Sequence, residues 1–215
     1  PTLTPKPPNN DRFLSAIFGS AISQTFTASF RGPMAVANWN RNPFASDPGS
    51  NNYFCVSTIG GDGRRTPENC TALHVILVDD VGTKVDAARP TGILGAPTYI
   101  IETSPGNEQW GYVLSPPCTD PAMAEALVRG AKELFTADAA GRNRLARLPY
   151  GTNGKNHHET RLILWEPQKT LTPEQAFTNL EAKPVPQEEL IHSDALPREV
   201  DPIVQAMELT GHPFT

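Results

Sequence analysis

The sequence feature that most constrains the fold is an apolar run that ends in two adjacent acids. Residues 73–82 read LHVILVDDVG, and residues 75–78 are all β-branched or leucine. Such a run is typical of a strand covered on both faces, and the glycine after the acids allows the chain to turn away. We therefore predict a buried strand at residues 73–79 with Asp79 and Asp80 at its end.

The two acids have two interpretations. Adjacent carboxylates repel each other unless a cation lies between them, and Mg²⁺ binds carboxylate oxygens while keeping waters and substrate phosphates as its other ligands. The pair therefore suggests a metal and nucleotide site. Aspartate and glycine are also ordinary turn residues, so a plain turn after the strand explains the same residues.

Composition indicates one domain with tails. The 215 residues are 38% hydrophobic and include 22 prolines, which crowd toward the two ends. We predict a flexible arm at residues 1–10, a domain at residues 11–168, and an acidic, proline-rich linker with short helices at residues 169–215. No stretch approaches the roughly 20 apolar residues of a membrane span, and three cysteines argue against a disulfide framework. These features predict a cytoplasmic protein with no membrane partner.

Charge is unevenly distributed along the chain. The net charge of −5 does not favour nucleic-acid binding, but residues 129–161 contain seven Lys or Arg against three acids, whereas residues 166–215 contain nine acids against three bases. The basic segment is a candidate surface for a polyanion, and a solvated helix face explains it equally well.

Hydrophobic periodicity predicts a mixture of strands and helices. The predicted helices lie at residues 11–22 and 122–135, and two short helices are expected within the linker near residues 173–180 and 201–209. The predicted strands lie at residues 26–30, 35–39, 53–59, 73–79, 98–102, 111–114 and 161–165. A tight loop rich in hydroxyl and amide groups is expected between the strands at 98–102 and 111–114.

Three sequence blocks follow one another in a characteristic order. They are Val78-Asp79-Asp80, the stretch ETSPGNEQW at residues 102–110, and the stretch RLPYGTNGK at residues 147–155, the last preceded by a helix and the isolated Asp138. In this order the blocks resemble the RepB-like primases of plasmids and phages, which belong to the archaeo-eukaryotic primase superfamily. The resemblance covers residues 70–165. The Ser-x-His second motif of the wider superfamily is absent, and Ser-Pro-Gly-Asn stands in its place.

The resemblance implies an α+β fold in which an RRM-like catalytic sheet is packed with helices and joined to an N-terminal αβ subdomain. It also implies a DNA primase-polymerase, a nucleotidyltransferase that makes primers on single-stranded DNA from nucleoside triphosphates by two-metal-ion catalysis with Mg²⁺ or Mn²⁺. The setting would be plasmid or phage replication in a bacterial or phage-infected cell, with a fused or associated helicase as the natural neighbour.

The same resemblance implies roles for individual residues. The catalytic and metal-binding carboxylates would be Asp79, Asp80 and Asp138, with Asp120 as the rival for the third position. The nucleotide-binding residues would be Ser104, Asn107, Gln109, Arg147, Asn153 and Lys155, with Arg147 and Lys155 on the triphosphate.

Two other functions use the same residues. A metal-dependent nuclease or phosphoesterase would need the same acids, and a non-catalytic replication-initiator module would need only a DNA-binding face.

Two smaller expectations concern the cysteines and His74. His74 is predicted to be a core residue, and Cys55, Cys70 and His74 lack the fourth ligand that a zinc site requires.

Overall fold

The computed structural model describes residues 5–31, 39–40, 47–135, 141–186 and 190, and every structural statement below concerns these residues. Three predictions fall outside them: residues 35–38 of one predicted strand, Asp138, and the chain after residue 190.

The described residues form four helices and nine strands. The helices are α1 (Asn10–Phe18), α2 (Ala88–Leu94), α3 (Pro121–Phe135) and α4 (Pro173–Asn179). The strands are β1 (Thr25–Phe30), β2 (Trp39–Asn40), β3 (Asn51–Ile59), β4 (Cys70–Val81), β5 (Tyr99–Ser104), β6 (Asn107–Cys118), β7 (Leu145–Arg147), β8 (Gly151–Thr152) and β9 (Glu159–Trp165). None of these helices is long and apolar enough to cross a membrane.

The strands form one antiparallel sheet with the order β2-β1-β3-β4-β6-β5-β9-β8, and β7 pairs with β3. The predicted apolar strand is confirmed as β4, which has β3 on one side and β6 on the other. Leu73, Val75, Ile76 and Val78 are each at most 2% exposed, which agrees with a strand covered on both faces. The fold is therefore a mixed α+β structure built around β4.

Different helices cover the two faces of the sheet. His74 and Val75 are neighbours in β4 and therefore point to opposite faces. His74 packs against the Phe18 ring of α1, with ring centroids 4.6 Å apart. Val75 lines a small cavity together with Val128 and Ala131 of α3. Helix α1 thus covers one face and α3 covers the other, and His74 is a core residue as predicted.

The connection between β5 and β6 is tighter than the sequence suggested. Ser104 pairs with Asn107, so residues 105–106 form a two-residue hairpin turn, and Gly106 adopts a positive φ of 72°. Glycine suits such a turn because it has no side chain to clash in the left-handed region. The loop expected at residues 103–110 is consequently mostly strand.

The N-terminal segment is attached to the domain from residue 6 onward. Lys6 Nζ donates to the Leu162 carbonyl at 2.7 Å, and the Tyr150 hydroxyl donates to the Pro7 carbonyl. Asn10 is 2% exposed and exchanges hydrogen bonds with the Tyr150 backbone at 2.7 and 3.0 Å. The prediction of a flexible arm at residues 1–10 is therefore corrected for residues 6–10, because their polar groups have partners in the folded domain.

The compact unit extends beyond the predicted end at residue 168. Leu171 continues the chain along β6 by exchanging backbone hydrogen bonds with Val113 and Ser115 at 3.0 and 2.9 Å. After α4, Leu180 is 2% exposed and approaches Gly130 of α3, where a Cβ would lie 3.3 Å from the Leu180 Cβ. The unit therefore runs to Val185, because residues 171–185 bury apolar side chains against it.

Candidate active site

The turn after β4 is built around the backbone carbonyl of Asp80. The amides of Thr83, Lys84 and Val85 all donate to this oxygen, at 3.2, 2.9 and 3.0 Å. A further hydrogen bond closes the loop, since the Gly82 amide donates to the Val85 carbonyl at 2.9 Å. Residues 80–85 consequently form a tightly closed loop that fixes the direction of the Asp80 side chain.

The Asp80 carboxylate has a partner on each oxygen. Asn107 Nδ2 donates to Oδ1 at 3.0 Å, and Lys84 Nζ lies 2.8 Å from Oδ2. Burial by itself would raise the pKa of Asp80. Lys84 and Asn107 outweigh that effect and hold the pKa below its ordinary value, with a further contribution from Arg144. Asp80 is therefore ionised at neutral pH.

A bulge places Asp80 within electrostatic range of the guanidinium that binds Asp79. The register between β4 and β6 shifts between Val78 and Val81, and Asp80 adopts a positive φ of 59°. In a regular strand Asp79 and Asp80 would point to opposite faces, and the bulge breaks this alternation. Arg144 donates to Asp79 Oδ2 at 2.9 Å and also lies within electrostatic range of Asp80.

Strand β7 explains how Arg144 reaches the acids across 65 residues of sequence. Strand β1 pairs with one edge of β3. Strands β7 and β4 both pair with the other edge, β7 at Tyr53–Cys55 and β4 at Ser57–Ile59. The Arg144 carbonyl accepts from the Val56 amide at 3.0 Å, which extends the β3–β7 pairing by one residue. The basic stretch at residues 144–147 therefore lies beside the acidic end of β4.

Arg147 is a buried cation with neutral hydrogen-bond partners. It is 7% exposed, and its guanidinium donates to Asn51 Oδ1 at 3.0 Å and Asn153 Oδ1 at 2.9 Å. The same group lies over the Tyr53 ring, 4.8 Å from its centroid. Burial lowers the pKa of Arg147, while the nearby Tyr53 and Asp79 oppose that shift. A desolvated cation without an ion pair in the described structure favours binding of an anion.

Three of the other predicted nucleotide-binding residues, Ser104, Gln109 and Asn153, lie around this cation. Asn153 is buried and also donates to the Thr103 carbonyl at 2.9 Å and to Ser104 Oγ at 3.4 Å. Gln109 Oε1 accepts from the Arg147 amide at 3.0 Å. Ser104, Gln109 and Asn153 are thus occupied in holding the β7–β8 region to the β5–β6 hairpin.

Lys155 has different surroundings from Arg147. Its backbone amide donates to Asn153 Oδ1 at 3.1 Å, and its exposed side chain makes no hydrogen bond or ion pair within the described part of the chain. A ligand can therefore bind its ammonium group without breaking a contact that Lys155 makes within the described residues.

Asp120 does not belong to this site. Its carboxylate caps α3 by accepting from the Ala122 amide at 2.9 Å. Leu73 pairs with Cys118, so Asp120 lies near the start of β4, whereas Asp79 is about 20 Å further along at roughly 3.3 Å per residue. Asp120 is consequently a helix cap at the far end of the strand.

The described acids fit a divalent cation held through two carboxylates. The side chains of Asp79 and Asp80 are 22% and 21% exposed, and both offer the hard oxygen donors that Mg²⁺ and Mn²⁺ prefer. The described residues contain no group of three or more potential metal ligands, so waters and phosphate oxygens would complete the coordination. Cys55, Cys70 and His74 likewise form no such group.

The sequence did not identify Arg144, Lys84 or Tyr53 as site residues. Arg144 was visible as part of a basic stretch, but its partner is 65 residues away. Lys84 follows Asp80 by four residues, and this spacing brings the two side chains together only because residues 80–85 close on themselves. Tyr53 stands in an ordinary strand pattern, which contains no sign of its contact with Arg147.

The fold is similar to those of two solved primase domains. The chain is similar to the AEP domain of the primase-polymerase of cyanophage S-2L, with a TM-score of 0.62 and 17% identity over 78% of this chain and 94% of that one. It is also similar to the catalytic domain of primase RepB', solved in complex with initiator DNA, with a TM-score of 0.50 and 17% identity over 86% of this chain and 98% of that one.

No family model matches the sequence. No curated protein matches it either. At these identities the solved structures establish the fold, and the predicted resemblance to primases is confirmed as a similarity of fold.

Proposed function

We propose that this chain contains the catalytic domain of a DNA primase-polymerase, which synthesises primers on single-stranded DNA from nucleoside triphosphates during phage or plasmid replication. The observation that carries the proposal is that two acids and two arginines lie together at one end of β4, namely Asp79, Asp80, Arg144 and Arg147. The fold around them is similar to that of a primase-polymerase domain. Acids that can hold a divalent cation lie there beside a buried cation that can receive phosphate.

A finer division of the fold is part of this proposal. The element order β4-α2-β5-β6-α3-β7, with β4, β6 and β5 as neighbours in that order, is that of a split β-α-β unit. We assign this unit as the RRM-like catalytic sheet, and we assign α1 and β1–β3 as the N-terminal αβ subdomain.

Asp79 and Asp80 would hold the divalent cation, with Asp138 as the third carboxylate. Bound Mg²⁺ or Mn²⁺ would activate the primer 3′-hydroxyl and stabilise the charge on the transferred phosphate. The protein contributes orientation: Arg144 fixes Asp79, and Asn107 fixes Asp80.

Arg147 would receive the triphosphate in a preorganised position. Its contacts with Asn51, Asn153 and Tyr53 hold the guanidinium in place before the ligand arrives, so little ordering is needed on binding. Lys155 would reach the same phosphates from the surface, and Ser104 and Gln109 would support the pocket or contact the sugar.

The partners follow from the same proposal. Primase RepB' was crystallised with initiator DNA, and we propose that this chain likewise binds a single-stranded template. We also propose a cytoplasmic location and a helicase, fused or associated, as the neighbouring module.

Primer extension with isosteric variants tests the proposal. Asp79→Asn and Asp80→Asn should each reduce incorporation of labelled nucleotide on a single-stranded template to background with Mg²⁺ or Mn²⁺. Asp120→Asn is the matched control, because asparagine caps a helix about as well as aspartate and the residue is far from the site. It should retain activity.

The same reactions separate the alternatives. Template cleavage without incorporation, abolished by the same two variants, would identify a nuclease. Template binding without either reaction, unchanged in Asp79→Asn, would identify a non-catalytic DNA-binding module. Full incorporation by both Asp79→Asn and Asp80→Asn would refute the site assignment.

A further inference from the structure

Each acid of the pair lies beside a cation of the chain itself, but the two cations differ in accessibility. Arg144 lies 2.9 Å from Asp79 Oδ2, and its side chain is 15% exposed. Lys84 lies 2.8 Å from Asp80 Oδ2, and its side chain is 61% exposed. Arg144 is therefore a fixed part of the site, whereas Lys84 reaches the carboxylate from solvent.

The backbone places Lys84 over Asp80. The Lys84 amide is one of three that donate to the Asp80 carbonyl, so the Lys84 backbone is held within the closed loop at residues 80–85. The loop is also packed against the β5–β6 hairpin, because a Cβ on Gly82 would lie 2.7 Å from the Gly106 carbonyl oxygen. Thr83 Oγ1 donates to Asn107 Oδ1 at 2.9 Å across the same contact. The ion pair thus has a rigid base and a flexible lysine side chain.

We propose that Lys84 is a displaceable counter-cation for Asp80. It pairs with this carboxylate when no divalent cation is bound and withdraws into solvent when one binds, so it sets the concentration of divalent cation at which the site fills. This inference rests on the proposed function, because it takes Asp80 as a metal ligand.

The size of the effect follows from the exposure of Lys84, whose charge is screened by solvent. An exposed ion pair stabilises a protein by about 0.2–1 kcal/mol, which corresponds to roughly a 1.5- to fivefold change in an equilibrium constant. A divalent cation that competes with Lys84 for Asp80 loses affinity by about this factor. Without Lys84, the adjacent carboxylates in the metal-free protein would repel each other more strongly.

The test compares Lys84→Met with Lys84→Arg and with Lys169→Met in the full chain. Lys169 is the matched control, because it is also an exposed lysine, 46% accessible, in a short-range ion pair with Glu166. It lies near Thr98, at the opposite end of β5 from the hairpin turn. Binding of Mn²⁺ is measured from the electron paramagnetic resonance signal of the free ion, after treatment with chelator.

We expect Lys84→Met to bind Mn²⁺ roughly 1.5- to fivefold more tightly than the wild type, whereas Lys84→Arg and Lys169→Met should bind with nearly wild-type affinity. In thermal melts with chelator, Lys84→Met should unfold at a lower temperature than the wild type. The difference should disappear at saturating Mn²⁺, since the cation then replaces the lost charge.

Asp80→Asn distinguishes the two ways in which this experiment can fail. If the wild type binds no Mn²⁺, or if Asp80→Asn binds it equally well, the metal site of the proposed function is refuted together with the inference. If Asp80→Asn abolishes binding while Lys84→Met binds Mn²⁺ with wild-type or weaker affinity, the role of Lys84 is refuted and the metal site stands.

Discussion

Arg147 and Lys155 were predicted as a pair of phosphate contacts, but the structure gives them different surroundings. Arg147 is 7% exposed and held by two asparagines, whereas Lys155 is an exposed side chain on a turn. Removal of Arg147 deletes two buried hydrogen bonds and a ring contact, whereas the exposed Lys155 side chain makes no such contacts in the described residues. The two residues should therefore differ in what their removal does to stability.

We expect Lys155→Ala to raise the KM for nucleotide on the order of tenfold and to leave the melting temperature unchanged. Arg147→Met should raise the KM and also destabilise the fold by about 1–3 kcal/mol, since Asn51 and Asn153 each lose a donor. Steady-state incorporation and thermal melts measure both effects, with the exposed Lys183 changed to alanine as the control. An unchanged KM in both variants would make this region an ordinary basic loop.

His74 makes stability depend on pH. Burial lowers its pKa to about 4, whereas an exposed histidine titrates near pH 6.5. The unfolded chain therefore binds a proton that the folded protein does not, and the contribution of His74 to stability is complete above about pH 6.5 and is lost as the pH falls toward 4.

Between about pH 7.5 and pH 5 this one residue should reduce the free energy of unfolding by about 2 kcal/mol. Urea denaturation at both pH values measures the difference, and His74→Leu is the comparison because it cannot titrate. The variant should lose about 2 kcal/mol less than the wild type over this range. Equal losses in the two proteins would show that His74 is not buried in its neutral form.

At the scale of elements, the strongly periodic segments were predicted correctly and their ends were not. Strands β4, β5 and β9 and helix α3 lie where the apolar pattern placed them. Helix α1 stops at Phe18, because Gly19 adopts a positive φ of 53° and ends the regular helix. Residues 19–24 form a 3₁₀ segment instead. The sequence had assigned part of this segment to the α-helix because Ala21 and Ile22 are apolar.

The short strand β7 could not be predicted from its own sequence. Residues 145–147 are too few to show a period, and they form a strand because the edge of β3 at Tyr53–Cys55 is free to pair with them. This pairing is essential to the arrangement of the site, since it positions Arg144 and Arg147 beside the acids of β4.

For the whole molecule, the end of the domain is the main difference from the sequence prediction. The sequence predicted that residues 171–185 belong to an acidic linker with a short helix near residues 173–180, and α4 confirms the helix but not the linker. Apolar side chains within this segment are buried: Ala176 is 0%, Leu180 2% and Val185 8% exposed. The capping box at Thr172 and Gln175 gives α4 a defined start.

Truncation distinguishes the two boundaries. Removal of all residues after Gln168 should lower the melting temperature by roughly 5–10 °C, because burial of Leu180 alone contributes about 2 kcal/mol. Removal of all residues after Pro186 should leave the melting temperature and primer synthesis close to those of the full chain. If the shorter form melts like the full chain, α4 contributes nothing to the fold; if the longer form is destabilised, the domain extends beyond Val185.

The sequence by itself determined the types of the main elements, the buried strand and the position of two acids at its end. It could do so because hydrophobic periodicity and turn residues act over a few neighbouring positions. Tertiary structure decided that Arg144 binds Asp79, that Asp120 is only a helix cap, and that the domain continues to Val185. These outcomes depend on an edge of β3 shared by two strands and on contacts between distant segments. A local pattern cannot encode them, because each depends on which distant residues pack together.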